Sequence, residues 1–173
     1  PKIRELLRLM RQRSVVVSMD INIRLGASHD EAAYLQGVRS LLPLADIVKA
    51  SDEDLAALEY ASSPYVAAQL AYAEMGGGIL LLTQGTDDTY LFSADATLSH
   101  TPPEPERLVD TVGAGDTFFA GFLAFLQQKE CCQAQAIAQP KKFMGLTTMQ
   151  HALAFASAAA PGPMCHGVAG GIA

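Results

Sequence analysis

Short runs of apolar residues alternate with amphipathic stretches along the first half of the chain. The apolar runs lack regular polar positions, which is typical of strands covered on both faces of a sheet. They lie at residues 15–19, 46–50 and 79–83. Stretches with helical spacing of apolar positions lie at residues 3–11, 30–42, 51–60 and 64–75. The alternation predicts an α/β fold with a parallel sheet.

Two local signals mark where helices begin and end. Ser51, with Asp54 three positions later, predicts a capping box at a helix start. The glycines at residues 76–78 predict the end of a helix, because glycine readily takes the left-handed conformation of a C-terminal cap.

The second half of the chain has a different pattern. Residues 89–94 and 96–100 predict a hairpin, and Pro102, Pro103 and Pro105 predict a stiff connector after it. Two further helices are predicted, at residues 117–128 and 147–160. Because nothing reads as a linker, residues 1–173 are interpreted as one domain.

Composition narrows the possible ligands and the compartment. The net charge of −6 gives no basic surface for nucleic acid or an anionic membrane, so a small-molecule ligand is expected. No apolar run approaches the roughly 20 residues of a membrane span, and the first residues do not have a signal-peptide layout. Three cysteines without a Cys/His cluster of ligand spacing favour a reducing cytoplasm over a disulfide framework or a zinc site.

The stretch DTVGAGDTF, residues 110–118, carries the strongest candidate chemistry. Gly113, Ala114 and Gly115 remove side-chain bulk at the start of a predicted helix, where free N–H groups and the helix dipole attract anions such as phosphate. Asp116 would be repelled by that phosphate, which indicates a task as a general base toward an attacking hydroxyl. The alternative is a tight turn followed by an ordinary acidic residue at a helix start.

The same stretch resembles the C-terminal signature of the ribokinase family of carbohydrate kinases, also called the PfkB family. The resemblance implies that Asp116 is the catalytic base and that residues 113–115 form the anion hole. It also implies that Asp110 lies near a monovalent-cation site, with K⁺ as the candidate ion.

Two earlier segments resemble family motifs in the expected order. Residues 20–24, DINIR, fit the pattern D-x-N-x-R, which implies substrate contacts for Asn22 and Arg24. Residues 49–54, KASDED, resemble K-x-N-x-x-E, a segment used around the ATP phosphates and magnesium, with Ser51 in place of Asn and Asp54 in place of Glu. Asp54 is accordingly a candidate for magnesium binding through water, and its alternative role is the helix cap.

Two later segments would border the nucleotide. Residues 83–88 resemble the T-x-G-x-x-G loop, which implies ATP contacts for Thr83 and Gly85, while Asp88 replaces the final glycine. The alanine-rich stretch at residues 154–160 resembles the helix beside the adenine, with Ser157 as a contact. The alternatives are an ordinary turn after a strand and a packed core helix.

The resemblance implies a ribokinase-like α/β fold, with a three-layer, mostly parallel, doubly wound sheet and flanking helices. The chain covers the C-terminal, ATP-binding half of such a kinase, so the natural protein is expected to be longer. An ATP- and Mg²⁺-dependent sugar kinase is expected, with fructose as the favoured acceptor. A homodimer would form through a lid that lies outside this chain.

Two alternatives stay open, and a third is disfavoured. One is a kinase for another carbohydrate, such as 2-keto-3-deoxygluconate or ribose. Another is a nucleotide-binding fragment or inactive partner without kinase activity. A nicotinamide oxidoreductase is disfavoured, because Phe118 stands where the third glycine of a dinucleotide turn is required.

Overall fold

The computed structural model describes residues 2–26, 28–102, 113–138 and 145–160. Within these ranges five strands form one sheet in the order β1-β2-β3-β4-β5. The strands are β1 (Ser18–Asp20), β2 (Ile47–Ser51), β3 (Ile79–Thr83), β4 (Thr89–Ser93) and β5 (Thr97–His100). Asp110 and most of the proline-rich connector lie outside the described residues.

The sheet is mixed, which corrects the expectation of a mostly parallel sheet. The β1–β2 and β2–β3 pairs are parallel, whereas β3–β4 and β4–β5 are antiparallel. The loop between β3 and β4, residues 84–88, is too short for the crossover that a parallel neighbour needs. The predicted hairpin is confirmed, and it reverses the chain direction at this side of the sheet.

Helices cover both faces of the sheet. They are α1 (Lys2–Gln12), α2 (Glu31–Arg39), α3 (Asp52–Ala57), α4 (Pro64–Met75), α5 (Ala114–Gln128), α6 (Ala134–Ala138) and α7 (Gly145–Ala159), with a 3₁₀ turn at Leu42–Leu44. Side chains of β3 alternate between the two layers. Leu80 and Leu82 pack with α4 in one core cluster, while Ile79 and Leu81 pack with α5 and α7 in the other. β2 and β3 are therefore buried on both faces, as their apolar runs predict. β1 has no buried residue, so the same prediction is wrong for the first apolar run.

The predicted helix signals are confirmed. Ser51 and Asp54 form the capping box at the start of α3, and Gly76 ends α4 in a left-handed conformation with φ 73°. Gly78 has a second reason to be glycine, because a Cβ there would overlap the carbonyl oxygen of Asp46.

The chain enters the sheet through an exposed helix. No residue of α1 is buried, and Ile3 and Leu6 are at least half exposed, so the apolar face of α1 is only partly covered. β1 is an edge strand and begins at Ser18, three residues later than the apolar run suggests. The amide of Val15 instead donates to the Met10 carbonyl in the turn after α1. Within the described ranges, no helix combines the length and apolar character needed to cross a membrane.

α5 and α7 cross at close range. A Cβ on Gly121 of α5 would lie 3.1 Å from the Ala159 Cβ and 3.4 Å from the Ala156 Cα of α7. Glycine at this position lets the two helix backbones approach each other directly.

Candidate active site

The first turn of α5 is shaped by two glycines for two different reasons. Gly113 is the N-cap and has φ 81°, a left-handed conformation that disfavours other residues, while its surroundings have room for a Cβ. Gly115 has ordinary helical geometry, but a Cβ there would lie 2.8 Å from the Lys49 Nζ. Backbone conformation therefore favours glycine at position 113. At position 115 glycine is favoured because the Lys49 side chain leaves little room for a Cβ.

The N-cap of α5 is Gly113, which has no side chain that could cap the backbone amides of the first turn. Gly113 makes no side-chain cap hydrogen bond, and the first intrahelical bond runs from the Thr117 amide to the Gly113 carbonyl at 2.9 Å. The amides of the preceding turn have no partner within the helix, because the carbonyls they need lie before its start. This helix end has the local geometry of an anion site.

Asp116 lies in this same first turn and is exposed. An exposed carboxylate in the first turn is accessible to a ligand that occupies the helix end. The structure therefore allows the predicted role of Asp116 and does not seal the carboxylate inside the protein.

Lys49 lies directly beneath the turn. Its side chain is held by Asp20, whose two carboxylate oxygens each lie 3.2 Å from the Nζ atom. The two residues are register partners across β1 and β2, and Lys49 is only 6% exposed. A buried ammonium group thus lies at the carboxyl ends of the parallel strands, next to the first turn of α5.

The pKa of Asp20 is shifted by burial and by the neighbouring charges of the site. Burial raises the pKa of the Asp20 carboxyl, the Lys49 ammonium opposes that rise, and the nearby Asp54 and Asp116 carboxylates add to it. Burial is the largest single cause, and together with the two carboxylates it outweighs the lowering effect of Lys49 on the pKa of Asp20. The shift also shows that Asp20, Asp54 and Asp116 are close enough for their charges to interact.

Asp54 is buried and fully engaged with backbone amides. Its Oδ1 accepts from the Ile23 amide at 2.7 Å, and its Oδ2 accepts from the Ser51 amide at 2.9 Å. The Ser51 hydroxyl in turn accepts from the Asp54 amide at 3.1 Å. The helix-cap role of Asp54 is therefore observed directly. A magnesium-bound water would have to use the lone pairs that remain on these oxygens, and that role stays a prediction.

The bond from Ile23 fixes the segment that carries both candidate substrate residues. Asn22 has φ 42°, a left-handed conformation that asparagine tolerates better than most residues, and its side chain is exposed. Arg24 is also exposed, and its amide donates to the Tyr34 hydroxyl at 3.4 Å. Both side chains are accessible to a ligand at the end of β1.

The candidate nucleotide loop is tied to the chain after β5. Thr83 is the register partner of Ser51, so the ends of β2 and β3 lie side by side. Gly85 follows with φ 60°. The Thr101 hydroxyl donates to Asp88 Oδ1 at 2.6 Å, and the Gln84 side chain donates to the Asp88 carbonyl at 3.0 Å. Asp88, where the motif has glycine, therefore closes the loop through a side-chain contact.

Ser157 lies on α7 and is 5% exposed. Its hydroxyl is buried, and among the described residues it has no hydrogen-bond partner. A buried hydroxyl without a partner is unfavourable unless something supplies one, and a bound nucleotide is one candidate.

The structure thus brings together most of the candidates at one edge of the sheet. Asp116, Asp54 and the register pair Ser51–Thr83 share this region with the Lys49–Asp20 ion pair. That ion pair is not among the predicted contacts, although a lysine within the apolar strand IVKAS is an available signal. Asp110 lies outside the described residues, and in the part of the chain that the structure describes no three acidic, Cys or His side chains converge as metal ligands.

Several known proteins are similar in sequence to this chain. The profile of the pfkB family carbohydrate kinases matches residues 2–161. Fructokinase from Rhizobium leguminosarum bv. trifolii is 33% identical over 125 residues, which are 72% of this chain and 38% of that protein. Fructokinase from Klebsiella pneumoniae is 36% identical over 110 residues, 64% of this chain and 36% of that protein.

Solved structures show the same fold. Aminoimidazole riboside kinase from Salmonella enterica, complexed with aminoimidazole riboside and an ATP analog, superposes with a TM-score of 0.74 at 25% identity. The match covers 90% of this chain and 48% of that one. A double-mutant fructokinase from Vibrio cholerae O395, with fructose, ADP and potassium ion bound, has a TM-score of 0.70 at 24% identity, covering 88% of this chain and 45% of that one. The chain therefore spans less than half the length of each of these relatives.

Proposed function

Because the chain belongs to the pfkB family of carbohydrate kinases, we propose that it forms the ATP-binding part of an ATP-dependent sugar kinase. The reaction would transfer the γ-phosphoryl group of ATP to a sugar hydroxyl, with fructose as the acceptor. The observation that carries the proposal is the exposed carboxylate of Asp116 in an uncapped helix turn.

The residues of the turn would divide the work. The amides of residues 113–115 donate to the phosphoryl oxygens and stabilise the charge that develops on them. Asp116 accepts the proton of the attacking hydroxyl as that oxygen bonds to phosphorus, and the ADP oxygen leaves on the opposite side. Bound Mg²⁺ would neutralise charge on the ATP phosphates.

The remaining candidates would orient the two substrates. Asn22 and Arg24 are accessible for sugar contacts at the end of β1, and Ser51, Thr83 and Gly85 lie at the ends of β2 and β3 for the nucleotide. Ser157 would gain from the nucleotide the hydrogen bond that it lacks among the described residues. Asp110 would hold a potassium ion beside the turn, in line with the potassium ion in the Vibrio cholerae fructokinase structure.

Fructose is favoured because several relatives of the chain carry the name fructokinase. An aminoimidazole riboside kinase is 30% identical over 134 residues, so a riboside is the competing acceptor. An ADP-release assay of the full-length protein, run in parallel with fructose, ribose, 2-keto-3-deoxygluconate and aminoimidazole riboside, separates the possibilities. Highest kcat/KM with fructose is expected.

The central test replaces the carboxylate. Asp116→Asn keeps the shape of the side chain and removes the base, so kcat is expected to fall about 10²- to 10⁴-fold. The matched control is Glu5→Gln, which neutralises another exposed acid in the first turn of a helix, on α1. Near-normal turnover by Asp116→Asn would contradict the proposed mechanism.

A nucleotide-binding chain without kinase activity is the second candidate, because the chain spans 38% of the Rhizobium fructokinase. Calorimetric titration of this chain with ATP and Mg²⁺, and separately with fructose, distinguishes a sugar kinase from a chain that binds only the nucleotide. Binding of the nucleotide alone would favour the second candidate, and phosphorylation of fructose by the same protein would exclude it.

A further inference from the structure

We infer that Lys49, held by Asp20, is a positioning residue that fixes the first turn of α5 and with it the placement of Asp116. The inference rests on the proposed function of that turn. It assigns a task to an ion pair that the proposed reaction does not itself use.

The backbone of Gly115 lies close to the end of the Lys49 side chain. A Cβ at this position would lie 2.8 Å from the Lys49 Nζ and 3.4 Å from its Cε. The backbone of Gly115 is helical, so conformation alone would accept alanine, the better helix former. The turn therefore rests on the end of the Lys49 side chain, and the position of that side chain sets how closely the turn approaches the sheet.

Asp20 holds the Lys49 side chain in place. The strand register places Asp20 and Lys49 side by side, and both Asp20 oxygens lie 3.2 Å from the ammonium nitrogen. Lys49 is 6% exposed, so it has little freedom to move toward solvent. A long, flexible side chain is thus held in one place by a carboxylate from the neighbouring strand.

The charge of Lys49 also bears on its role. A buried ammonium next to a helix N-terminus is unfavourable, because the helix dipole is positive there and burial removes water. Asp20 offsets this cost, and Asp54 and Asp116 lie within electrostatic reach of the pair. A charged pair at this place is a poor choice for stability alone, which favours a role in arranging the site.

A second helical glycine, Gly37, shows whether adding a methyl group to a helix is harmful in itself. Gly37 on α2 is also helical but exposed, and a Cβ there would meet nothing within 4 Å. Gly37→Ala is therefore a matched control that adds the same methyl group without a neighbour. It is expected to leave activity unchanged and to leave the Tm unchanged or raise it.

The experiment is a double-mutant cycle on the full-length protein. Gly115→Ala is expected to lower kcat about 10- to 100-fold, because small displacements of catalytic groups have effects of this size. In the Lys49→Ala background the same substitution is expected to lower kcat much less, since the neighbour that meets the methyl group is gone. Independent, multiplying effects of the two substitutions would overturn the inference.

A second cycle tests Asp20, and its double variant removes both charges of the pair, so that neither is left without its partner. Asp20→Asn and Lys49→Met are each expected to lower kcat with little change in KM for the sugar, and the double variant is expected to be no worse than either single variant. Lys49→Met preserves most of the side-chain volume, so this cycle still tests the inference if Lys49→Ala folds poorly. Loss of Tm with unchanged kcat in the folded variants would show a structural role only and would overturn the inference.

The outcome is separable from that of the proposed function. If Asp116→Asn retains full turnover, the proposed function fails. The coupling between Gly115 and Lys49 would still be measurable from the Tm of the four proteins in the first cycle.

Discussion

The helices α3 and α5 both begin at the carboxyl edge of the sheet, yet their first turns are built in opposite ways. α3 caps itself, because Ser51 and Asp54 exchange hydrogen bonds with each other's amides. α5 begins at Gly113 without a side-chain cap. Both turns carry acids, but Asp54 is buried and bonded, whereas Asp116 is exposed. An acid at a helix start acts as a cap where it turns back on the backbone, and it is available for chemistry where it does not.

The largest stability effect is expected at the self-capped turn. Asp54→Asn retains one acceptor oxygen and leaves one of two partly buried amides, on Ile23 or Ser51, without a partner. The free energy of unfolding is expected to fall by about 2 kcal/mol. Chemical denaturation measures it, with Asp116→Asn as the comparison that should change stability little. Equal losses at both positions would remove the distinction between the two helix starts.

Gly113 is the position where conformation sets the uncapped turn. Gly113→Ala forces a side chain into a left-handed conformation, and the expected loss is about 1–2 kcal/mol. Gly113→Asn should lose less, because asparagine tolerates this conformation better. The urea midpoints of the two variants provide the measurement, and a larger loss for asparagine would contradict this account of Gly113.

The cap of α3 can be tested against a serine that lacks the cap bond. Ser51→Ala removes the acceptor for the Asp54 amide and is expected to cost about 1 kcal/mol. Ser63 is the N-cap of α4 but makes no side-chain cap hydrogen bond, so Ser63→Ala is the matched control with little expected effect. Thermal unfolding of the pair should give clearly different Tm values, and equal values would argue against the capping box as a stabilising contact.

A third kind of acid, Glu74, lies on α4, on the face of the sheet opposite α5. Glu74 accepts from the Arg39 Nε at 2.9 and 3.0 Å and from the Tyr60 hydroxyl at 2.7 Å. The pKa of the Glu74 carboxyl is lowered, mainly by the hydrogen bonds from Arg39. Burial, followed by the hydrogen bond to Glu74, raises the pKa of the Tyr60 hydroxyl.

The smallest expected effect follows from that lowered pKa. Below the ordinary pKa of glutamate, about 4.3, the unfolded chain binds a proton that folded Glu74 resists, so stability falls as the pH decreases. The loss should be at most about 1 kcal/mol, because solvent screens this partly exposed pair. Glu74→Gln should flatten the acid side of the stability curve, measured by urea unfolding at several pH values. An unchanged curve would show that Glu74 does not carry this dependence.

Local patterns in the sequence predicted many of the elements. The strand at Ile79–Thr83 and the helix at Pro64–Met75 were predicted with their observed bounds, because each has uniform burial or a clear start and stop. The five-residue helix α6 was missed, since so short a segment shows no periodicity. β1 was predicted too early, because the apolar character of Val15 does not reveal that it lies in an exposed turn.

The candidate site was predicted in its parts but not in its connections. The glycines and Asp116 form one continuous motif, so sequence alone indicated their chemistry. Asp20 and Lys49 are separated by 29 residues, and their contact depends on the parallel register of two strands. Contacts of this kind come from tertiary structure, which explains why the support beneath Gly115 was not predicted.

The absence of a side chain at Gly121 has a mechanical consequence. Tightly packed backbones have no compressible layer of side chains between them, so a shift in one is transmitted to the other. α5 carries Asp116 at its start, and α7 carries Ser157 near its end. If a ligand displaced α7, the shift would therefore reach the first turn of α5, and with it the candidate base Asp116, without first deforming the sheet.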